Sequence, residues 1–262
     1  ILDDFEKYNV NTEAIQVESG ANSGVATILV KQSTGERAVF FERSTATEPE
    51  FLDTHKQLIG STYILHINGR HRQLMRSAMA VAKEVGTIIS LDGGAQRYDE
   101  DMKPITEASH IVIVARDYAE KYTGTTNLEE ACRIIHERGA CIAGVTDGAN
   151  GSYFVWPDGT FYRCEPFTQS TVVDTTGAVD SFHGAFLANL VHTINHMKGQ
   201  DTTSTTKHDR ASIHAVELLK ACAHSDLEKA AIFASAVASL NTQGIGGRSP
   251  LPTLKSVQEL IG

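Results

Sequence analysis

The sequence predicts an α/β protein: a mostly parallel central sheet flanked by helices, with a small β lid. Three observations carry that expectation. From residue 62 to about residue 146, short apolar runs alternate with helical repeats, the pattern of successive βα units. Ahead of them, residues 25–43 hold two β-rich runs around a glycine-containing turn. Near residue 174 a strand end runs into a glycine turn and then a helix, the arrangement that leaves a ligand site at the carboxyl edge of a parallel sheet.

Each element follows from local pattern. VATILVK (25–31) and RAVFFER (37–43) flank QSTGE, where Gly35 can supply the positive φ of a short hairpin loop. TYILHIN (62–68) reads as a strand. The next stretch carries Leu74, Ala78, Val81, Ala82 and Val85 at helical spacing and stops at Gly86. TIISLD and HIVIVA are apolar strands, and a short helix over 117–123 ends at Gly124. Asn127 is placed to cap a helix with Glu130 three residues on and Gly139 at its end. ACIAGVT is a further strand, and GSYFVWPDGTFYRC a hairpin turning at Pro157, Asp158 and Gly159. A long helix is expected over about 178–195, then a polar surface loop over 198–209 and two more helices.

Composition narrows the function. At 262 residues with 41% hydrophobic and 21% charged residues, the chain can bury a real core. A net charge of -9 argues against a broad nucleic-acid-binding face, while one local anion site stays compatible with it. Cys132, Cys141, Cys164 and Cys222 lie far apart with no CxxC pair, which reads as reduced thiols in a cytoplasmic protein. The acidic, amphipathic opening ILDDFEKYNV is unlike a signal peptide, and no apolar run reaches the roughly 18 residues of a membrane span.

The chemistry gathers in VVDTTGAVDSFHGAF (172–186). A helix N-terminus there presents unpaired N–H groups and the positive end of its dipole, and Gly177 permits the sharp turn and close approach of an anion. Phe182, Ala185, Phe186 and Leu190 share the helix's apolar face. Asp180, in the first turn, is either a dipole-favoured acid or a general base beside a bound phosphoryl group. VTDGANGS (145–152) brings Thr146, Gly148 and Gly151 to a second strand end, a loop whose N–H groups and Thr146 hydroxyl suit phosphate. NTQGIGGRSPLPT (241–253) follows a helix rich in alanine and serine; its glycines do not form a dinucleotide-binding fingerprint.

These residues resemble the ribokinase-like (PfkB) carbohydrate kinases. Asp174-Thr175-Thr176-Gly177-Ala178-Val179-Asp180-Ser181-Phe182-His183-Gly184-Ala185 matches the family pattern D-T-x-G-A-G-D-x-F-x-G-A at every fixed position but one. The T-x-G-x-x-G loop recurs at Thr146, Gly148 and Gly151, and the hairpin at 25–43 looks like the family's lid. ILHINGRH and IVIVARDYAEKYTG look most like the ketohexokinase branch, with Ala115 and Tyr118 where many relatives carry the Asn and Glu of a magnesium-organising motif.

The resemblance implies one ribokinase-like, three-layer domain over 1–262. It implies ATP-dependent phosphorylation of a sugar hydroxyl, on a ketose such as fructose or a related sugar. Asp180 would be the base, with the N–H groups of Gly177, Ala178, Val179 and Asp180 as the anion hole. Thr146, Gly148, Gly151, Asn241, Gly244 and Gly246 would bind ATP, and Arg70 would stand near the transferring phosphate. Mg²⁺ would accompany ATP, with K⁺ or another monovalent cation near Asp174 and the Thr176 carbonyl. The lid implies a homodimer contact, and neither nucleic acid nor membrane is expected as a partner.

Relative to the family, the N-terminal segment carrying the first strand and a Gly-Gly-Asn motif is missing from the chain, and Val179 stands in place of an anion-hole glycine. A valine there is expected to resist positive φ and crowd the phosphate. The rival readings are a pseudokinase that keeps the fold as a ligand-binding or interaction module, and a nucleoside kinase of the same fold. His192 and His196, four apart, read as a solvated helix face, and His66 and His71 as turn-flanking residues without a third ligand.

Overall fold

The structure, a computed structural model, describes residues 2–31, 37–169, 171–200 and 215–262. After α1 (Leu2–Lys7), strands β1 (Val25–Val30) and β2 (Arg37–Glu42) pair antiparallel as a separate two-stranded sheet. The predicted hairpin is therefore present. Gly35 and the rest of its turn lie outside the described residues.

The central sheet has six strands in the order β3-β4-β5-β6-β7-β8. β3 (Ile64–Ile67), β4 (Ile88–Gly93), β5 (Ile111–Ala115) and β6 (Ile142–Thr146) run parallel, each pairing with its neighbour in sequence. β7 (Ser152–Val155) and β8 (Phe161–Cys164) are the predicted second hairpin, added antiparallel at one edge. The helices between and beyond the strands are α2 (Asp53–Ser61), α3 (Arg72–Val85), α4 (Lys103–Glu107), α5 (Arg116–Thr123) and α6 (Leu128–Glu137), then α7 (Ala178–Gln200), α8 (Ala215–Lys220), α9 (His224–Asn241) and α10 (Leu254–Ile261).

Side chains alternate across the sheet and divide the core into two layers. Ile89, Leu91, Val112, Val114, Ala143 and Val145 face α3, α5 and α6. Ile88, Ile111, Ile113, Ile142, Phe154 and Trp156 face α7, α8, α9 and α10. Both faces being covered explains why β4 is buried along its whole length and reads as a continuous apolar run. In the second layer Phe154 stacks on Trp156 and Phe186, with ring centroids 4.9 and 5.7 Å apart. Phe182, Ala185, Phe186 and Leu190 are all buried there, as their spacing predicts. Ala230, Ala231 and Ala234 of α9 are buried as well, and their small side chains let α9 lie close along α7.

Local details differ from expectation. α7 continues to Gln200 rather than stopping near 195, so Lys198 belongs to the helix; residues 201–209 of the predicted polar loop lie outside the described residues. Three helices rather than two follow among the described residues, because Thr253 caps a further amphipathic segment through its hydroxyl and the Ser256 N–H. Asn127 does cap α6, accepting the Glu130 N–H at 3.1 Å. The reciprocal half of that box is replaced: the Glu130 carboxylate accepts the Thr125 hydroxyl at 2.7 Å.

Candidate active site

The carboxyl ends of β3, β4, β5 and β6 open onto one edge of the sheet, and the segment 174–181 lies against that edge at the start of α7. Gly177 has φ 79°, and a Cβ built on it would fall 2.5 Å from the Cα and carbonyl oxygen of Gly247. Only glycine fits there, on grounds of both backbone and space. Asp174, 4% exposed, fastens the turn on either side. Its Oδ1 accepts the Thr176 N–H at 2.8 Å and its Oδ2 the Gly246 N–H at 3.0 Å.

The turn leaves donors without backbone partners. The Ala178 N–H bonds the Thr175 carbonyl and the Ser181 N–H the Gly177 carbonyl, so Ala178 is drawn inward from the predicted anion-hole set. The N–H groups of Gly177, Val179 and Asp180 have no backbone partner among the described residues. Together with the dipole of a 23-residue helix they suit the binding of an anion. Val179 is itself in the helix, and the left-handed residue of the turn is Gly177. The expectation that a side chain at 179 must resist positive φ is therefore corrected. What remains is bulk: Val179 is 39% exposed and lines a hollow of about 430 Å³ with Ala115, Arg116, Asp117, Thr146 and Gly148. Asp180, exposed, lines a second hollow of about 440 Å³ with Ser181, Gly184, Arg248, Leu251 and Val257.

The loop after β6 supplies the opposite wall. Gly148 (φ 54°) and Gly151 (φ 91°, ψ −150°) bracket a single 3-10 turn. The Thr146 hydroxyl reaches back only weakly to the Val114 carbonyl, at 3.5 Å. Arg116 bridges Glu120 at 2.8 Å and Asp147 at 3.0 Å across this wall. Tyr118 is turned into the core, bonded to the Thr106 hydroxyl at 2.7 Å, so it takes no part in the hollow.

The remaining predicted residues fall less uniformly. Arg70, on the loop after β3, lies with its guanidinium 5.8 Å from the Phe41 ring of the hairpin. Asn241 is fully enclosed, and its amide donates to the Thr176 carbonyl at 3.2 Å. It ties α9 to the turn, while Gly244 and Gly246 belong to the loop that borders it. His66 and His71 separate: His71 pairs with Glu48 at 2.9 Å, and His66 lies 5.4 Å, ring to ring, from His183.

That last contact belongs to a group the sequence did not point to. Asp92, next to last in β4, is 5% exposed, with Arg97 Nη1 3.3 Å from one oxygen and His183 Nε2 3.4 Å from the other. Burial, opposed by Arg97 and assisted by the charge of Asp180, raises Asp92 to about 6. Burial, with His66 and Arg97 adding to it, lowers His183 from its ordinary 6.5 to about 3. Asp92 therefore gives stability that is present below its ordinary 3.8 and lost as pH rises through about 6. His183 acts in the opposite sense: its contribution is present above 6.5 and lost as pH falls toward 3.

A helix N-terminus with unpaired donors, a carboxylate in its first turn and a glycine-walled hollow beside it suit the handling of a phosphate group. The pfkB family carbohydrate kinase profile matches residues 1–254, and the chain belongs to that family. It is similar to a probable fructokinase-5 of Arabidopsis thaliana, 26% identical over 275 residues that cover 98% of this chain and 76% of the relative. It is also similar to the ketohexokinase of Mus musculus, 23% identical over 201 residues covering 72% and 66% of the two chains. Among solved structures, the ribokinase of Giardia lamblia shares the fold at TM-score 0.78 and 16% identity, over 99% of this chain and 77% of that one. A fructokinase of Vibrio cholerae, solved with fructose, ADP and calcium, does so at TM-score 0.69 and 17% identity, over 100% and 80%. Kinases of this family act on sugars with ATP and a divalent metal.

Gly177→Ala should destabilise the protein by about 1–3 kcal/mol, since left-handed backbone and a 2.5 Å approach both oppose a methyl group. Urea unfolding measures this; an unchanged midpoint would show that the turn relaxes.

Proposed function

We propose that this carbohydrate kinase phosphorylates a ketose, fructose or a close relative, with Asp180 as the general base. The observation that carries this reading is the placement of the Asp180 carboxylate in the first turn of α7, directly after the unpaired N–H groups of Gly177 and Val179. An anion held on those donors lies beside a carboxylate that can take the proton of an attacking hydroxyl. The ILHINGRH stretch and the similarity to fructokinases and a ketohexokinase support the choice of a ketose.

ATP would lay its phosphates between the Thr146–Gly151 loop and the first turn of α7, with Val179 against them. The adenine side falls to the loop holding Gly244 and Gly246, and Asn241 acts by holding that loop to Thr176. Arg70 would approach the phosphoryl group in transit from the β3 side. Glu120 and Asp147 border the hollow but are already engaged by Arg116, which suits a Mg²⁺ carried mainly by phosphate and water. When bound, that ion neutralises charge on the phosphates. Asp174 and the Thr176 carbonyl meet where a monovalent cation such as K⁺ would support the turn, although each already accepts an N–H. A cytoplasmic setting suits four free thiols.

The hairpin supports a homodimer. Register puts Val25, Leu29 and Phe40 on one face of β1 and β2, and Val39 and Phe41 on the other; all five are exposed. The Phe41 face looks back to Arg70, which leaves the Val25 face for a second copy. Sedimentation should show a dimer that Phe40→Asp converts to monomer; a wild-type monomer at high concentration would overturn this.

Incubation with ATP, Mg²⁺ and K⁺ against ketoses, pentoses, keto-deoxy acids and nucleosides tests the substrate. Ketose-dependent ADP release is expected. Release with nucleosides alone would favour a nucleoside kinase, and absence of release with every acceptor a fold kept for binding. Asp180→Asn should lower kcat by about three or more orders of magnitude while ATP still binds; unchanged turnover would refute the base assignment. Val179→Gly should lower the KM for ATP several-fold by opening the hollow, at a cost of about 1 kcal/mol in helix stability. An unchanged KM would show that the backbone already seats the phosphates beside the valine.

A further inference from the structure

β5 and β6 run side by side with Ala115 opposite Thr146, so the next residue of each strand, Arg116 and Asp147, leaves the sheet at the same carboxyl edge. Arg116 is the first residue of α5, and Asp147 opens the loop after β6. From there the Arg116 guanidinium reaches two carboxylates. Its Nε donates to Glu120 Oε1 at 2.8 Å, one turn along α5, and its Nη1 donates to Asp147 Oδ2 at 3.0 Å. The same Asp147 oxygen accepts the Asn150 amide at 3.0 Å, and the Asp147 N–H bonds the Gly151 carbonyl at 2.9 Å. Arg116 is thereby tied to the glycine loop as well as to its own helix.

Nothing in α5 itself calls for a cation at this place. A positive charge in the first turn of a helix opposes the helix dipole. An ion pair whose arginine is 46% exposed adds little to stability. The surroundings give a better reason. Arg116 lines the hollow of about 430 Å³ together with Thr146, Gly148 and Val179. Among the described residues that line it, Arg116 is the only cation, while Asp117, Glu120 and Asp147 are acids. Asp117 is taken up by the Gln96 N–H at 2.6 Å. Two of the five guanidinium donors are spent on Glu120 and Asp147. The others, both of those on Nη2 included, have no protein partner among the described residues.

We propose that Arg116 is a phosphate-binding residue, its spare guanidinium donors taking the phosphates of the nucleotide from the α5 side of the hollow. The assignment rests on the reading that this hollow seats the phosphates of ATP. Glu120 and Asp147 hold the planar fork at two corners, so its side-chain freedom is lost before a ligand arrives. A phosphate chain that met the acidic wall without a cation would be repelled. With Arg116 between the two carboxylates, it meets charge-assisted donors on that side and the unpaired Val179 N–H on the side of α7. A lysine could not replace this arrangement fully. Its ammonium is a point charge and cannot span two carboxylates and a phosphate in one fixed plane.

Chemical modification of the wild type tests this without turnover and without a variant. Phenylglyoxal labelling of Arg116, read by mass spectrometry of the digested chain, should slow about tenfold under saturating ATP or inorganic tripolyphosphate and keep its rate under adenosine. Labelling as fast with ATP as without it overturns the proposal, and so does equal slowing by adenosine. In Arg116→Met, calorimetry should show ATP bound about tenfold or more weaker, with Arg116→Lys recovering part of the loss. A folded Arg116→Met that melts lower but binds ATP as the wild type does would reduce Arg116 to a structural ion pair and overturn the proposal. The kinase reading fails separately. If ATP protects Arg116 while no acceptor releases ADP, the phosphate contact stands without the kinase. If ADP is released and the KM for ATP is the same in Arg116→Met, the kinase stands without the contact.

Discussion

The approach of Gly177 to Gly247 is the constraint on which the rest of the site depends. The two backbones meet where no side chain can be placed at Gly177, which sets the loop after α9 directly against the turn before α7. Asp174 locks that position by accepting one N–H from its own turn and one from Gly246. The Gly177, Val179 and Asp180 N–H groups are left without a backbone partner by this fixed turn, with no ligand needed to shape it. A cradle ordered in advance suits phosphoryl transfer, where positioning and charge stabilisation supply most of the rate.

The clamp in turn relies on the apolar layer beneath. α7 can carry its N-terminus to the sheet edge because Phe182, Phe186 and Leu190 are seated on Phe154 and Ile113, and because the alanines of α9 allow a close second helix. Asn241 closes the circuit from the end of α9 to the Thr176 carbonyl. Packing and polar geometry are thus one device. A helix displaced by a larger residue on α9 would also shift the carbonyl that Asn241 holds.

The parts legible in the sequence were those set by local physics. Period-two and period-3.6 patterns located the four parallel strands and, among the helices around them, α3, α5 and α6, while the short α2 and α4 carry no such signal; the Asp174–Ala185 motif marked the turn. The parts that escaped depend on partners far apart in the chain. Asp92 and His183 are separated by the whole run from β4 to α7, and neither stands in a pattern that signals an ionisable neighbour. His66 was paired in sequence with His71, yet a strand residue and a helix-start residue point to different places. Asn241 sits in a glycine-rich stretch that suggests exposure, and its complete burial follows only from the turn it supports.

Val179 shows most clearly how a pattern and its physical reason can part. The family's glycine at this position invites an argument from positive φ, but the left-handed step is taken two residues earlier, at Gly177. A residue at 179 already has helical backbone, which valine adopts at a cost of a few tenths of a kcal/mol relative to better helix formers. Its N–H has no backbone partner among the described residues, like those of Gly177 and Asp180. The substitution therefore acts on space alone. An isopropyl group in a hollow of about 430 Å³ narrows that hollow without removing a backbone donor from it. On that ground the departure from the pattern changes the room beside the first turn of α7 and leaves the backbone of that turn as it is.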